Sequence, residues 1–293
     1  MRHHACAALS ALCLAVCLLV CGQPARAQTP TLYFSAIPSE DEAKLVERFT
    51  KVGTYLAKTL GVPVQYVPVK SYPASVTALR NDQIQLGWFG GFTGVQARLA
   101  VPGSRAIAQG EEDPAYISYF IAHDSAGLAP SADFPKAAKG KSFTFGAKTS
   151  TSGRLMPEFF IRKATGEAPD TFFGRVGFSG DHTQTLKLVA TGAFEIGALD
   201  YKVYDKAVAA GAPEVATAKI VWKTPPYPDY NWTVRGDLDA KFGAGFTDKL
   251  QQALIDMKDP DLLASFPRKS FIKAVNDDFA PIEATARELK LLE

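Results

Sequence analysis

The stretch TLYFSAIPSEDEAKLVERFTKVGTYLAKTLG (residues 31–61) contains a complete strand–helix unit and sets the pattern for the rest of the chain. Thr31–Ile37 is rich in β-favouring side chains and predicts a strand. Ser39 and Glu42 predict a capping box at the start of a helix, and Gly61 predicts its end. Apolar residues then recur at spacings of three and four, which predicts one buried helix face: Leu45, Phe49, Val52, Leu56 and Leu60.

Strands and helices continue to alternate along the chain. We predict further strands at Val62–Val69, Ile84–Phe89, Arg105–Gln109, Tyr116–Ala122, Ser142–Phe145, Arg175–Phe178, Glu195–Leu199, Ile220–Trp222 and Asn231–Val234. We predict further helices at Pro73–Arg80, Phe92–Leu99, Ser152–Ala164, His182–Thr191, Lys202–Ala210, Thr247–Met257, Asp261–Phe266 and Phe279–Leu291. This alternation predicts an α/β fold of mainly parallel sheets flanked by helices.

Two segments rich in Pro, Gly and small residues, Ala122–Gly140 and Thr224–Tyr230, are candidate crossings between two lobes. Two crossings imply that the first lobe is discontinuous. We therefore expect residues 28–122 plus 225–293 to form the first lobe and residues 123–224 to form the second.

The first 27 residues have the layout of a secretory signal peptide. A short basic start precedes the apolar run Ala7–Cys21, and Ala25–Ala27 forms an A-x-A cleavage site. We expect cleavage after Ala27. That site is favoured over a lipoprotein anchor at Cys21, because the residue before a lipidated cysteine is usually small and Val20 is not.

Composition argues against several function classes. All four cysteines lie within the first 21 residues, so the processed chain has no disulfide and no thiolate nucleophile. Export without disulfides is typical of a bacterial periplasm. The chain carries 32 Lys plus Arg against 30 Asp plus Glu, and this balance provides no basic footprint for nucleic acid.

The processed chain carries no sequence motif for catalysis or for metal binding. The two histidines of the processed chain, His123 and His182, are too far apart in sequence for a zinc motif, and no G-x-S-x-G elbow is present. A hydrolase using His182 with Asp181 or Asp200 is the enzymatic alternative, but no nucleophile accompanies these residues. We expect a protein that is not an enzyme and holds no metal or cofactor.

Three loops lead from a strand into a helix start and carry glycines or hydroxyls: WFGGFT (residues 88–93), TSTSG (residues 149–153) and SGDHT (residues 179–183). Free N–H groups and a partial positive charge at helix N-termini bind anions without Lys or Arg. Ser and Thr before a helix are commonly plain N-caps, but four in succession exceed what one cap needs. The loops therefore predict an anion site.

Other side chains near these loops complete the candidate site. A neutral His182 at a helix start can donate one hydrogen bond to an oxyanion, the alternative being a surface or packing histidine. Tyr72 offers a phenol at another helix start. Asp200 closes a strand beside Tyr201, and Asp229 lies in the second crossing. A carboxylate repels an anion unless the ligand carries a proton, so these acids decide which anion binds.

At these residues the chain resembles the solute-binding proteins of ABC importers for phosphonate, phosphite and related oxyanions. The matching segments lie in the family's order along nearly the whole processed chain: SAIPSEDEAKLVERF, VKSYPASVTALRNDQIQLGWFGGFTGVQAR, TSTSGRLMPEFF, SGDHTQTLKLVATGAFEIGALD and PPYPDYNWTVRGDL. Within the family, GWFGGFT, STSG-x-LMP and YNWTVRGDL are most similar to a branch described as selenate-binding.

The resemblance implies a two-lobed periplasmic binding protein of type II whose lobes close over an anion in the cleft between them. Carried over by motif, together with Tyr201 from the aromatic cluster, the expected ligand-binding residues are Tyr72, Gly90, Thr93, Ser150, Thr151, Ser152, Gly153, His182, Asp200 and Tyr201. The implied function is delivery of a small tetrahedral oxyanion to an inner-membrane permease and ATPase, by a monomer. The alternative is a sensory protein whose closed form engages a membrane kinase.

The ligand class depends on the acids. If Asp200 or Asp229 contacts the ligand, a protonated phosphite or phosphonate is favoured. If neither does, a fully ionised anion such as selenate or sulfate fits the site.

Overall fold

The computed structural model describes residues Thr29–Leu292, and two mixed β-sheets organise them. The predicted signal peptide and the alternative anchor at Cys21 lie outside the described residues. Within residues 29–292, no helix is both long enough and apolar enough to cross a bilayer.

The first part of the chain builds most of the first sheet. Its strands are β1 (Leu32–Ala36), β2 (Val64–Tyr66), β3 (Leu86–Phe89) and β4 (Arg105–Gly110). Its helices are α1 (Glu42–Leu60), α2 (Tyr72–Arg80) and α3 (Gly91–Ala100).

Helix α1 buries the predicted apolar face, and Gly61 ends it in the left-handed conformation at φ 75°. The predicted capping box at Ser39 is wrong. Asp41 is the N-cap, because its carboxylate accepts the N–H groups of Ala43 and Lys44 at 3.1 and 3.3 Å.

The middle of the chain builds the second sheet. Its strands are β5 (Ser118–His123), β6 (Ser142–Phe145), β7 (Arg175–Phe178), β8 (Ile196–Asp200) and β9 (Ala218–Lys223). Its helices are α4 (Met156–Thr165), the single turn α5 (Pro169–Phe172), α6 (His182–Ala190) and α7 (Tyr201–Ala209).

The chain then returns to the first sheet. It adds strands β10 (Asn231–Val234) and β11 (Phe271–Lys273). The accompanying helices are α8 (Leu238–Phe242), α9 (Phe246–Ile255), α10 (Pro260–Leu263) and α11 (Ala280–Glu288).

The strand order is β11-β4-β10-β3-β1-β2 in the first sheet and β7-β6-β8-β5-β9 in the second. We call the first sheet with its helices the first lobe and the second sheet with its helices the second lobe. Residues 111–117 and 224–230 then cross between them. An antiparallel bridge joins Tyr116 and Tyr227, so the two crossing segments run side by side.

The structure corrects the expected division at one strand. Residues 116–122 were expected in the first lobe, but β5 pairs antiparallel with both β8 and β9 of the second sheet. The first crossing therefore precedes β5 instead of following it. Sequence pattern could not reveal this, because residues 118–122 are buried on both faces and such a strand fits either sheet.

The sheets are also less parallel than expected. Parallel pairing holds where β1 meets β2 and β3, and where β6 meets β7 and β8. Every strand next to a crossing, namely β4, β5, β9 and β10, pairs antiparallel with its sheet neighbours, because the chain returns between lobes there. An aromatic core backs the first sheet and includes Phe34, Phe49, Trp88, Trp232 and Phe266.

Candidate functional site

The predicted helix starts meet between the two lobes. Gly90 follows β3 as the N-cap of α3, and Asp181 is the N-cap of α6 after β7. Ser150 follows β6 and caps a π-helical turn, Thr151–Leu155, that leads into α4. Each start follows the carboxyl end of a strand, which is the edge where α/β proteins bind ligands.

Two hydrogen bonds join the two lobes beside these helix starts. The Phe92 N–H donates to Thr151 Oγ1 at 3.0 Å, and Thr93 Oγ1 donates to the Thr149 carbonyl at 2.8 Å. The start of α3 in the first lobe therefore lies directly against the TSTSG loop of the second. The structure is a closed form, and Tyr72, Ser150, Thr151, Ser152 and His182 are each no more than 2% exposed.

The π-helical turn widens the TSTSG loop. Leu155 N–H reaches back five residues to the Ser150 carbonyl at 3.0 Å, and Met156 N–H does the same to Thr151. Ser150 Oγ accepts the Gly153 N–H at 3.0 Å. The other N–H groups of this first turn have no intrahelical acceptor. Such widened turns are frequent at functional sites.

Two glycines allow the close approach of these loops. A Cβ added at Gly153 would lie 3.0 Å from His182 Cε1 and 3.1 Å from Ser150 Oγ. A Cβ added at Gly90 would lie 3.1 Å from Thr151 Oγ1 and 3.2 Å from Asp229 Oδ1. The predicted residues Gly90 and Gly153 therefore serve the site by their small size.

His182 is oriented by the backbone. Its Nδ1 accepts the Asp200 N–H at 3.2 Å, so the hydrogen-bond network assigns the ring proton to Nε2. Burial lowers the pKa of His182, against the opposing effect of nearby Asp200 and Asp181. His182 Nε2 is buried and has no partner among the described residues. A neutral ring thus presents one N–H donor.

Asp200 holds the crossing segments with its carboxylate. Its Oδ1 accepts the Tyr116 hydroxyl at 2.5 Å and the Lys202 N–H at 2.7 Å, and its Oδ2 accepts the Tyr230 hydroxyl at 2.9 Å. The two tyrosines belong to the two crossing segments. Both carboxylate oxygens of Asp200, predicted as a ligand residue, therefore accept hydrogen bonds within the protein, and its backbone N–H orients His182.

The structure also places Tyr201 away from the loops. Its ring packs edge-on against Tyr116 and Tyr119, with ring centroids 4.8 and 5.9 Å apart. The side chain is half-buried in that aromatic cluster.

Asp229 is the second of the two acids whose ligand contact the sequence leaves open, and it lies beside the start of α3. Its Oδ1 accepts the Gly91 N–H at 2.8 Å. Burial raises the pKa of Asp229 to about 8, although hydrogen bonds from Gly91 and Thr151 act in the opposite direction. The motif PPYPDYNW carries this acid, but nothing local in it indicates a partner 138 residues earlier.

Four buried polar atoms around the site have no hydrogen-bond partner within residues 29–292: Tyr72 Oη, Thr149 Oγ1, His182 Nε2 and Asp229 Oδ2. They come from both lobes and from the second crossing. Leaving such an atom unsatisfied costs about 1–3 kcal/mol. A set of four indicates a place built for a polar ligand. In the described part of the chain, no cluster of three or more His, Cys, Asp or Glu side chains is suited to a metal ion.

Comparison with known proteins identifies the family of the chain. Residues 34–279 match the family model described as the periplasmic phosphonate substrate-binding protein of ABC transporters. The chain is 37% identical over 277 residues to a probable phosphite-binding protein of an ABC transporter, PhnD1, from Prochlorococcus marinus, covering 92% of this chain and 93% of that one. It is 25% identical over 208 residues to the phosphonates-binding periplasmic protein of Escherichia coli, covering 70% and 60%.

Solved structures give the same result. PhnD1 of P. marinus in complex with methylphosphonate superimposes with a TM-score of 0.85 at 37% identity, over 89% of this chain and 99% of that one. A binding component of an ABC phosphonate transporter from Pseudomonas aeruginosa shares the fold, with a TM-score of 0.77 at 19% identity over 89% and 87%. The chain therefore belongs to the family of periplasmic phosphonate substrate-binding proteins of ABC transporters.

Proposed function

We propose that this protein binds a small phosphorus oxyanion, a phosphite or a small phosphonate such as methylphosphonate, and delivers it to an ABC permease. The ligand carries one proton that it shares with Asp229. The observation that carries this proposal is Asp229 Oδ2, which is buried without a partner beside the N-terminus of α3.

The donors around Asp229 suit a single tetrahedral anion. Tyr72 Oη, Thr149 Oγ1 and His182 Nε2 are buried without a partner among the described residues, and the first turn after Ser150 contributes N–H groups. Such donors stabilise negative charge without bringing a cation into the site. The closed cleft excludes water, which strengthens each of these hydrogen bonds.

Asp229 sets the ligand class. An ionised carboxylate repels a fully ionised anion at hydrogen-bond distance. One proton between Asp229 Oδ2 and a ligand oxygen replaces that repulsion with a charge-assisted hydrogen bond. A phosphite or phosphonate monoanion brings this proton, whereas selenate and sulfate bring none. The relatives above name phosphite, phosphonates and methylphosphonate, and they support neither the selenate branch nor the sensory alternative.

Several further steps belong to the same proposal. The lobes open and close about residues 111–117 and 224–230. One chain supplies every donor named above, so a monomer suffices. Processing after Ala27 releases the chain into the periplasm, and N-terminal sequencing of the exported protein tests this step.

The proposal is tested by calorimetric titration of the exported, ligand-stripped protein with phosphite, methylphosphonate, phosphate, sulfate and selenate. Thermal unfolding with each anion is a second readout, since a ligand at 100 times its dissociation constant adds about 2.7 kcal/mol of stability. We expect saturable binding of phosphite or methylphosphonate and much weaker binding of selenate and sulfate. Absence of binding by both phosphorus anions, or a preference for selenate, would overturn the proposal.

A further inference from the structure

Glu40 bridges the two lobes at the mouth of the cleft. It lies in the loop between β1 and α1 of the first lobe. Its Oε2 accepts a hydrogen bond from Lys206 Nζ at 2.8 Å, and Lys206 lies on α7 of the second lobe. The two residues belong to different lobes, so a rotation that separates the lobes would break the contact.

Glu40 is held ready for this contact from its own lobe. Arg48 Nη2 on α1 donates to Glu40 Oε1 at 3.1 Å, which leaves Oε2 directed to the second lobe. The Glu40 side chain is only 13% exposed, whereas the Lys206 side chain is 47% exposed. The ion pairs with Arg48 and Lys206 lower the pKa of Glu40 despite its burial. On opening, Glu40 keeps Arg48 and loses Lys206.

The position of Glu40 relates this contact to the path of the ligand. Glu40 lines the open cavity between the lobes together with Tyr72 of the anion site and the loop Ser179–Asp181. It also lines a small cavity between the lobes that reaches Asp200. The contact therefore borders the open cavity that Tyr72 also lines.

The geometry points to the Glu40–Lys206 ion pair as a latch that holds the closed lobes together and slows ligand release. The identity of the released ligand rests on the proposed function, whereas the effect of the ion pair on lobe closure does not. A partly buried ion pair present only in the closed form stabilises that form alone. Its loss therefore raises the dissociation rate and leaves the encounter of ligand with the open form nearly unchanged.

Lys206→Gln is the test variant, and Lys141→Gln is its matched control. Lys141 pairs with Glu195 at 3.3 Å inside the second lobe, so its loss removes an ion pair without touching closure. Lys206→Arg keeps the charge and should restore the latch. The measurement is the dissociation rate of methylphosphonate by stopped-flow displacement, with thermal unfolding of the ligand-free protein as the structural readout.

We expect Lys206→Gln to speed dissociation about three- to tenfold, the range of a pair intermediate between exposed and buried. Lys141→Gln should stay within about twofold of the wild type, and Lys206→Arg should recover most of the loss. Raised ionic strength should speed release from the wild type more than from Lys206→Gln. The latch would be overturned if methylphosphonate dissociated from Lys206→Gln at the wild-type rate. It would also be overturned if Lys141→Gln raised the dissociation rate as much as Lys206→Gln.

A second measurement keeps the latch testable if methylphosphonate does not bind. Spin labels at Thr54→Cys on α1 and Val208→Cys on α7 report the distance between the lobes, because both positions are exposed and the processed chain has no other cysteine. Lys206→Gln should lower the closed fraction of the ligand-free protein relative to Lys141→Gln. An unchanged closed fraction refutes the latch, while failed binding with a changed fraction refutes only the proposed function.

Discussion

The proton shared with Asp229 predicts a pH-dependent selectivity between two anions. In the closed form the pKa of Asp229 is raised from 3.8 to about 8 by burial. We expect opening of the cleft to expose the carboxyl group to water and to return its pKa toward the ordinary value. Between these two values, the closed form holds one proton more than the open form. Closing over selenate therefore takes up a proton from solution, whereas closing over a methylphosphonate monoanion does not.

The magnitude follows from linkage. Uptake of one proton weakens selenate binding about tenfold for each pH unit, or about 1.4 kcal/mol, between roughly pH 4 and pH 8. The affinity for selenate therefore falls as pH rises, because Asp229 has its raised pKa in the closed, selenate-bound form. Titration of His182 affects both ligands equally and cancels in their ratio. The affinity ratio of methylphosphonate to selenate should thus rise about tenfold from pH 6 to pH 7.

The assay is calorimetric titration of both anions at pH 6 and pH 7 with the wild type, Asp229→Asn and Asp205→Asn. In the Asp229→Asn variant the side-chain carbonyl still accepts the Gly91 N–H, but the amide takes up no proton, so the ratio should become independent of pH. Asp205 lies exposed on α7, and partial desolvation of its carboxyl group also raises its pKa, so Asp205→Asn is the charge control. A wild-type ratio that does not change with pH, or an equal change in Asp229→Asn, would refute the reasoning.

Three further variants test other parts of the site. His182→Ala removes a hydrogen-bond donor to a charged ligand, and such a bond is worth about 1.5–3 kcal/mol. The affinity for methylphosphonate, measured by calorimetry, should therefore fall about ten- to hundredfold. An unchanged affinity would contradict the role of His182 Nε2 as a donor to the ligand. Gly153→Ala should weaken binding at least tenfold, because the new Cβ would lie 3.0 Å from His182 Cε1. Asp200→Asn leaves one tyrosine hydroxyl of the crossing segments without its acceptor, so urea denaturation should show a loss of about 1–3 kcal/mol in unfolding free energy even without ligand.

Local features of the fold were predictable because their causes are local. The C-cap at Gly61 and the helix starts at Tyr72 and His182 follow from neighbouring residues, and the structure has them at those positions within a residue or so. The four consecutive hydroxyl residues before α4 also indicated an unusual turn. The π-helical widening explains why one N-cap did not account for them.

Features that depend on distant pairing were not predictable from pattern. Strand β5 was assigned to the wrong lobe because a strand buried on both faces carries no mark of its partners. Asp200 and Asp229 each precede a tyrosine, and the sequence leaves open which of the two acids contacts the ligand. Only the tertiary structure shows that two tyrosine hydroxyls donate to the Asp200 carboxylate and that Asp229 Oδ2 is buried without a partner.

The amino-acid sequence by itself determined the α/β class, the helix starts with anion-binding N–H groups and the resemblance to oxyanion carriers. These properties depend on residues within one or two turns of each other. The tertiary structure alone decided which acid keeps a buried oxygen without a partner, where the chain crosses and which charges meet between the lobes. Those outcomes depend on contacts between residues more than one hundred positions apart, such as Gly91 with Asp229 and Glu40 with Lys206. Burial raises the pKa of Asp229, and the residues packed around it, such as Gly91 and Thr151, come from both lobes.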